Sequence, residues 1–436
     1  MELKNNRLFA RFSNTSELNK TILRHSFWIL LGTLLSKFLL LLATVLITDY
    51  VDKRVYGEVG IIKSTITMFS VFAGLGLGVT ATKFISQYKN IDKLKTSNII
   101  GLSNLFSIVM SLLVLLLFFL FSKYLALQIN APHLSEQLKI AGVILFFSAL
   151  NGIQTGILDG FEKFKALSVN NIIAAVFSAI FQIIGAKIYG INGIIVGLGL
   201  HYIILYFLNY VSIYRVTKKD YNFSIFNKSN FKEYKLIWIF SVPAVLSGLM
   251  VSPVVWITNN FLVNQINGYE EMANFDIASQ WRGTILFIPT ALCQIALPML
   301  SAAINKNDYN KILKKNIILN FVISLIVVLI VLAFIPYILK MYGKNYADAN
   351  IPMIILMITT ILIAVNNVIG QAIASLNKMW LAFYVNLIWG ISLIVFSSVF
   401  VIKYDLGAIG LSISYLLSYI VHSICQYFIL LKISKI

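Results

Sequence analysis

The chain has 436 residues, of which 59% are apolar and only 12% charged, and its mean hydropathy is +0.84. A soluble domain carries about twice that share of charge, so a water-soluble fold is excluded, and the abundance of apolar side chains excludes disorder. The net charge of +18 reads, in so apolar a chain, as Lys- and Arg-rich cytoplasmic loops and not as a nucleic-acid surface. The two cysteines, Cys293 and Cys425, lie in apolar runs and the four histidines are scattered. Neither a disulfide framework nor a metal cluster is expected.

In chain order, residues 1–25 form a polar, basic N-terminus, and 8–24 can lie as a short helix on the cytoplasmic surface. Runs long and apolar enough to span a bilayer follow at about 26–48, 58–81, 99–122, 138–158, 168–187, 190–213, 235–258, 277–300, 316–339, 350–374, 381–402 and 408–431. The fifth and sixth are divided only by the turn near Tyr189 and Gly190, and the longest connection, about 215–234, lies midway. With the N-terminus inside, Lys and Arg are about threefold more numerous in the inner loops than in the outer ones, as the positive-inside rule requires. The expected fold is therefore an all-α polytopic membrane protein of twelve transmembrane helices with both termini cytoplasmic. It divides into an N-lobe (26–214), an inter-lobe cytoplasmic loop (215–234) and a C-lobe (235–436).

The two lobes read as a parallel repeat. Laid without gaps on the second half, Ala149, Asn151, Lys163 and Asn171 fall on Ala364, Asn366, Lys378 and Asn386, and Tyr189 falls on Tyr404. Glu58 then Lys63 open the second span, as Asp276 then Arg282 open the eighth. In transporters the site commonly lies where such repeats face each other.

Ionisable groups inside a span are costly and point to function. Three cations fall there: Lys37, Lys63 and Arg282. Lys37 is mid-span, roughly 16 Å from either surface at 1.5 Å per residue, with no nearby carboxylate. It implies a wet cavity, or a partnership with backbone carbonyls. Lys63 and Arg282, about five residues in from the outer ends, fit the same cavity or snorkel to the interface. Lys83 and His201 are further candidates to line it. With Glu58, Asp159 and Asp276 placed at span edges, the cavity is expected to hold cations without carboxylates. That suits a phosphate or diphosphate. The amides Asn151 and Gln154, and their counterparts Asn366, Asn367 and Gln371, suit sugar hydroxyls. They equally suit interhelical hydrogen bonds. Gly74, Gly76 and Gly78 read as close helix packing. Pro243, Pro253, Pro289 and Pro298, in the seventh and eighth spans, read as kinks for gating or local shape. Trp28, Trp238, Trp256 and Trp281 read as an interfacial belt.

The stretch from Phe27 to Asn90 carries a family resemblance: a mid-span Lys37, then Val55-Tyr56-Gly57, then Ala73-Gly74-Leu75-Gly76-Leu77-Gly78 and Ala81-Thr82-Lys83-Phe84-Ile85. It resembles the polysaccharide flippases (Wzx type) of the multidrug/oligosaccharidyl-lipid/polysaccharide exporter superfamily. The resemblance implies a V-shaped pair of six-helix lobes around a central cavity. It implies translocation of a polyprenyl-diphosphate-linked oligosaccharide across the bacterial cytoplasmic membrane, with Lys37, Lys63 and Arg282 facing the cavity. The expected function is thus a non-enzymatic flippase working by alternating access, without cofactor. Coupling to H⁺ or Na⁺ is left open with no site assigned. The expected partners are the lipid-linked glycan, the bilayer and a glycan polymerase or chain-length protein, with no nucleic acid and a monomeric state. The alternatives are a cation-coupled multidrug exporter of the same superfamily, and a membrane glycan polymerase or glycosyltransferase. Against these stand the missing deep carboxylate and the short outer loops.

Overall fold

A computed structural model describes residues 27–434 except 75, 222, 236–249, 294–298, 301–304 and 377. The surface helix expected over 8–24, Trp238, Pro243 and Pro298 lie outside the described residues. The fold is helical: α1 (Phe27–Ile47), α2 (Lys53–Gly74), α3 (Leu77–Tyr88), α4 (Lys93–Gln128), α5 (Ser135–Gly160) and α6 (Phe164–Thr217) make the N-terminal half. The C-terminal half holds α7 (Ser252–Val263), α8 (Gly268–Ile285), α9 (Phe287–Cys293), α10 (Lys306–Tyr342), α11 (Asn350–Ser375), α12 (Met379–Ser397) and α13 (Gly407–Ser434). Eight of the described helices are long and apolar enough to cross a bilayer, and the bent pair α2–α3 makes a ninth. Leu120, Phe121 and Ile330 point outward from such helices, as they do where lipid replaces water. The chain is a multi-pass membrane protein.

The 54-residue α6 is two spans. It folds back at Gly190, whose backbone is non-helical with φ 56°. Only a glycine adopts that region without cost. After the turn Gly185 and Gly193 press backbone to backbone, and Ser178 donates to the Gly197 carbonyl at 2.9 Å. The repeat recurs in the element boundaries. α5 and α11 each have 26 residues and stand in the register that pairs Asn151 with Asn366. In that register Gly190 falls on Asp405, which also has positive φ (51°).

Several expectations are corrected. The second span begins at Lys53 and breaks at Gly76, where a left-handed residue (φ 61°) bends α2 from α3 by 44°. Gly78, by contrast, packs on the backbone of Gly152 and Gly156 in α5. The glycine run is thus both a hinge and a contact. The eighth span begins at Gly268, not 277, because its acidic first turn is satisfied. Glu271 accepts from the Ala408 N–H at 2.7 Å and so caps the start of α13. Pro253 sits in the first turn of α7, where its missing N–H costs nothing, and the span that it is expected to kink lies largely outside the described residues. Pro289 does mark a break. It cannot donate to the Ile285 carbonyl, and the helix stops there before α9 begins. Trp256 and Trp281 are not a membrane belt. Their indole N–H groups donate to Thr65 and Tyr342 at 3.0 and 3.1 Å inside the bundle.

The midway loop is docked on the N-terminal half. Ser229 donates to Asn98 at 2.9 Å, and Asn230 is buried against Gly101. Lys93 pairs with Asp220 at 2.7 Å.

Candidate functional site

The two halves meet along α2, α7 and α8. Gly57 places the α2 backbone directly on the Tyr269 carbonyl of α8, and one turn on Gly60 faces Met272 and Asp276. Polar bonds hold this seam. Asn259 donates to Ser64 at 2.9 Å, and Gln280 donates to the Tyr56 hydroxyl at 2.9 Å. Toward the outer ends Asn264 reaches the Gln128 carbonyl at 3.3 Å, the Tyr269 hydroxyl donates to the Ile129 carbonyl, and Lys53 pairs with Asp348 at 3.5 Å. With the cytoplasmic termini that the charge bias predicts, these bonds lie at the outer end of the seam. The inner continuation of α2, α3, packs on α4 and α5 of its own half.

All three intramembrane cations converge on α8. Lys63 forms an ion pair with Asp276 at 3.5 Å, with the two side chains 24% and 13% exposed. Its ammonium also lies 5.6 Å from the Tyr56 ring. Lys37, on α1, donates to the Gly283 carbonyl at 3.2 Å and lies 5.4 Å from the Phe287 ring. Arg282 lies over the Tyr415 ring at 4.7 Å and donates to Ser279 at 3.1 Å. Its Nη1 is buried beside Tyr415 and makes no hydrogen bond that satisfies it among the described residues. Asp276 and Gly283 are two helical turns apart, so the Lys63 and Lys37 ammoniums engage α8 about 10 Å apart along its axis.

The carboxylate-free cavity is therefore corrected. Asp276 lies well inside α8, not at a span edge, and Lys63 spans the seam to reach it. Lys63 and Arg282 are also deeper than their sequence distance from the first apolar residue suggests, because both helices start earlier. Glu58 likewise lies inside α2, buried, 2.9 Å from His133.

The amides divide between two settings. Asn151 and Gln154 are buried inside the N-terminal half, and Asn151 braces α5 against α6 by donating to the Tyr202 carbonyl at 2.7 Å. His201 is next to it, edge-on to Tyr202 at 5.3 Å. Asn366, Asn367 and Gln371 instead line a cavity of 430 Å³ inside the C-terminal half. Asn367 donates to Thr290 at 3.4 Å, and Asn366 accepts from Ser423 at 3.1 Å. Lys83 is exposed on α3, 5.3 Å from the Phe84 ring. The cavity residues of α12 and α13, which include Trp389, Tyr419, His422 and Gln426, were not singled out by the sequence reading. A signal for them exists, since Tyr415, Tyr419, His422 and Gln426 repeat at helical spacing and share one face.

The fold is thus a helical membrane bundle whose two halves are joined by a bonded seam. The chain belongs to the family described as "Polysaccharide biosynthesis protein", which matches residues 22–304, well over half of it. Among curated proteins it is similar to the EPS I polysaccharide export inner membrane protein EpsE of Ralstonia solanacearum, 27% identical over 193 residues. That match takes in 42% of this chain and 43% of EpsE, so the chain spans less than half the length of that relative. Among solved structures it is similar to an inward-facing multidrug-resistance MATE transporter of the MOP superfamily (TM-score 0.75, 17% identity, 93% of this chain and 96% of that one). It is also similar to the lipid II flippase MurJ in an inward closed conformation (TM-score 0.71, 19% identity, 92% and 87%). These two likenesses concern the fold. The family and the apolar spans make the chain a multi-pass membrane protein of polysaccharide biosynthesis.

Proposed function

We propose that this protein is a flippase that moves a polyprenyl-diphosphate-linked oligosaccharide from the inner to the outer leaflet of the cytoplasmic membrane by alternating access. The observation that carries the reading is the convergence of Lys37, Lys63 and Arg282 on α8, in a chain of the polysaccharide biosynthesis family. Lys37 and the Nη1 of Arg282 are cationic donors without a carboxylate partner among the described residues. A diphosphate satisfies both. Charge-assisted hydrogen bonds to phosphate are about twice as strong as neutral ones.

Lys63 has a different part. While the outer seam is closed it is neutralised by Asp276, and opening the seam separates the two. In this reading the halves part along the seam of α2 with α7 and α8.

A specific observation supports a second reading, a cation-coupled drug exporter: Asp276 is an intramembrane carboxylate, and the fold matches a multidrug transporter. Binding separates the two. Purified protein in nanodiscs is expected to bind a short-chain polyprenyl diphosphate, with affinity falling about tenfold or more in Arg282→Gln. It is expected to show no competition from organic cations such as ethidium. Binding of ethidium with no binding of the diphosphate favours the exporter and contradicts the flippase.

A further inference from the structure

The cavity inside the C-terminal half has a chemistry of its own. It is walled by α11, α12 and α13 and bounded by Val251 beside α7 and Thr290 and Cys293 of α9. Its volume, 430 Å³, is within the range of sites for small ligands, roughly 300–1,000 Å³. No carboxylate, ammonium or guanidinium lines it among the described residues, and residues 236–249, 294–298 and 301–304 contain no charged side chain. The lining is amide, imidazole and aromatic. A metal ion or an ionic headgroup finds no countercharge here.

Four polar atoms of the lining residues are buried with no partner among the described residues: Asn366 Nδ2, Trp389 Nε1, His422 Nδ1 and Gln426 Oε1. Each belongs to a side chain more than nine-tenths buried. Buried polar groups are nearly always satisfied, and leaving one unmet costs about 1–3 kcal/mol. Asn366 and Trp389 present donors, and Gln426 presents an acceptor. His422 Nε2 lies 3.2 Å from Asn386 Oδ1, which leaves Nδ1 as an acceptor when Nε2 carries the proton. A ligand with several hydroxyls meets such a set, because each hydroxyl both donates and accepts.

The aromatic wall points the same way. The Trp389 and Tyr419 rings stand 5.4 Å apart at 49°, forming a corner of two π faces. The C–H bonds on one face of a pyranose are weakly positive, and an aromatic face is negative. The position also fits. Arg282 lies over Tyr415, and Tyr419 of the cavity wall is one turn further along α13. The guanidinium assigned to the diphosphate thus sits against α13 about one helical turn from the cavity wall.

We infer that this C-terminal cavity is a binding site for one neutral sugar ring, a hexose or N-acetylhexose, of the glycan nearest the diphosphate. The aromatic corner takes the ring face, and Asn366, His422 and Gln426 take its hydroxyls. The inference rests on the reading of the chain as a carrier of a diphosphate-linked glycan. It goes beyond that reading in placing sugar recognition in one lobe, apart from the cations, and in predicting a preference for the first sugar.

The test uses the full-length protein in nanodiscs and a set of short-chain polyprenyl diphosphates, bare or carrying one glucose, galactose, N-acetylglucosamine or N-acetylgalactosamine. At least one glycosylated probe is expected to bind about tenfold tighter than the bare diphosphate. Gln426→Leu and Trp389→Phe are expected to lose most of that gain and keep the bare affinity. The second variant retains an aromatic ring while it removes the indole donor and part of the ring, and the bare affinity tells a folding defect from a lost contact. Equal binding of every glycosylated probe and the bare one, or a preference that survives in both variants, overturns the sugar site and leaves the carrier reading standing. Failure of the bare diphosphate to bind overturns both.

Discussion

Replacing Gly57 by leucine is expected to lower lipid transfer by about tenfold or more while the protein still folds and inserts. Gly57 is buried on α2, and a Cβ there would overlap the Tyr269 backbone carbonyl of α8. The obstacle is main chain, which no rotamer change relieves. The helices must separate for the variant to exist, and their closest approach is the closed outer seam. Overpacking of this kind costs about 1–3 kcal/mol, and each 1.4 kcal/mol shifts a two-state equilibrium tenfold. The variant therefore populates the outward-open form. A cysteine at Ser64, whose hydroxyl is bonded to Asn259 across the seam, reports the shift. It is expected to react faster with an impermeant maleimide from outside in Gly57→Leu, with Gly57→Ala intermediate. Unchanged labelling and full transport would mean that the seam does not open in the cycle.

The second large effect concerns Lys63 and Asp276. Removing one member of a partly buried ion pair leaves the other unpaired in a low-dielectric setting, at a cost of about 3–5 kcal/mol. Asp276→Lys places two ammoniums at a separation where a 3.5 Å pair stood, and Lys63→Asp places two carboxylates there. Each single change is expected to open the seam and to reduce transport about tenfold. The double swap Lys63→Asp with Asp276→Lys restores an attractive pair and one cation facing the cleft. It is expected to recover closure at Ser64→Cys and a large share of transport. A coupling of about 0.5–3 kcal/mol is usual for contacting residues. Strictly additive defects in the double variant would contradict a pair that acts across the two halves.

Long apolar runs were legible because a lipid-facing helix must be apolar over most of its length, as α4 and α10 are. The turn at Gly190 and the repeat were legible from local chemistry, and the positive φ at both Gly190 and Asp405 gives the repeat a backbone counterpart. The start of α8 was not legible. Glu270, Glu271 and Asp276 resemble a loop until their partners are known, and two of those partners, Ala408 and Lys63, are distant in the chain. Lys63 and Asp276 were each noted, and only the approach of α2 to α8 at Gly57 brings them together. The C-terminal cavity was half visible. Asn366, Asn367 and Gln371 drew notice as amides in a span, but Trp389 and Tyr419 are apolar enough to pass as bundle packing.

The central claim is that the cations gathered on α8 carry an anionic lipid headgroup across the membrane. The most direct measurement reconstitutes the purified protein in liposomes with a labelled polyprenyl-diphosphate oligosaccharide and follows its transfer between leaflets, comparing wild type with Lys37→Ala. Lys37 lies at the seam, donates only to a backbone carbonyl among the described residues and is not needed to fill the core, so its loss tests the charge and not the fold. Protein-dependent transfer is expected in wild type, with a loss of at least about tenfold in the variant, the scale of one charge-assisted contact. Equal transfer by both proteins, or transfer no faster than in protein-free liposomes, would contradict the claim.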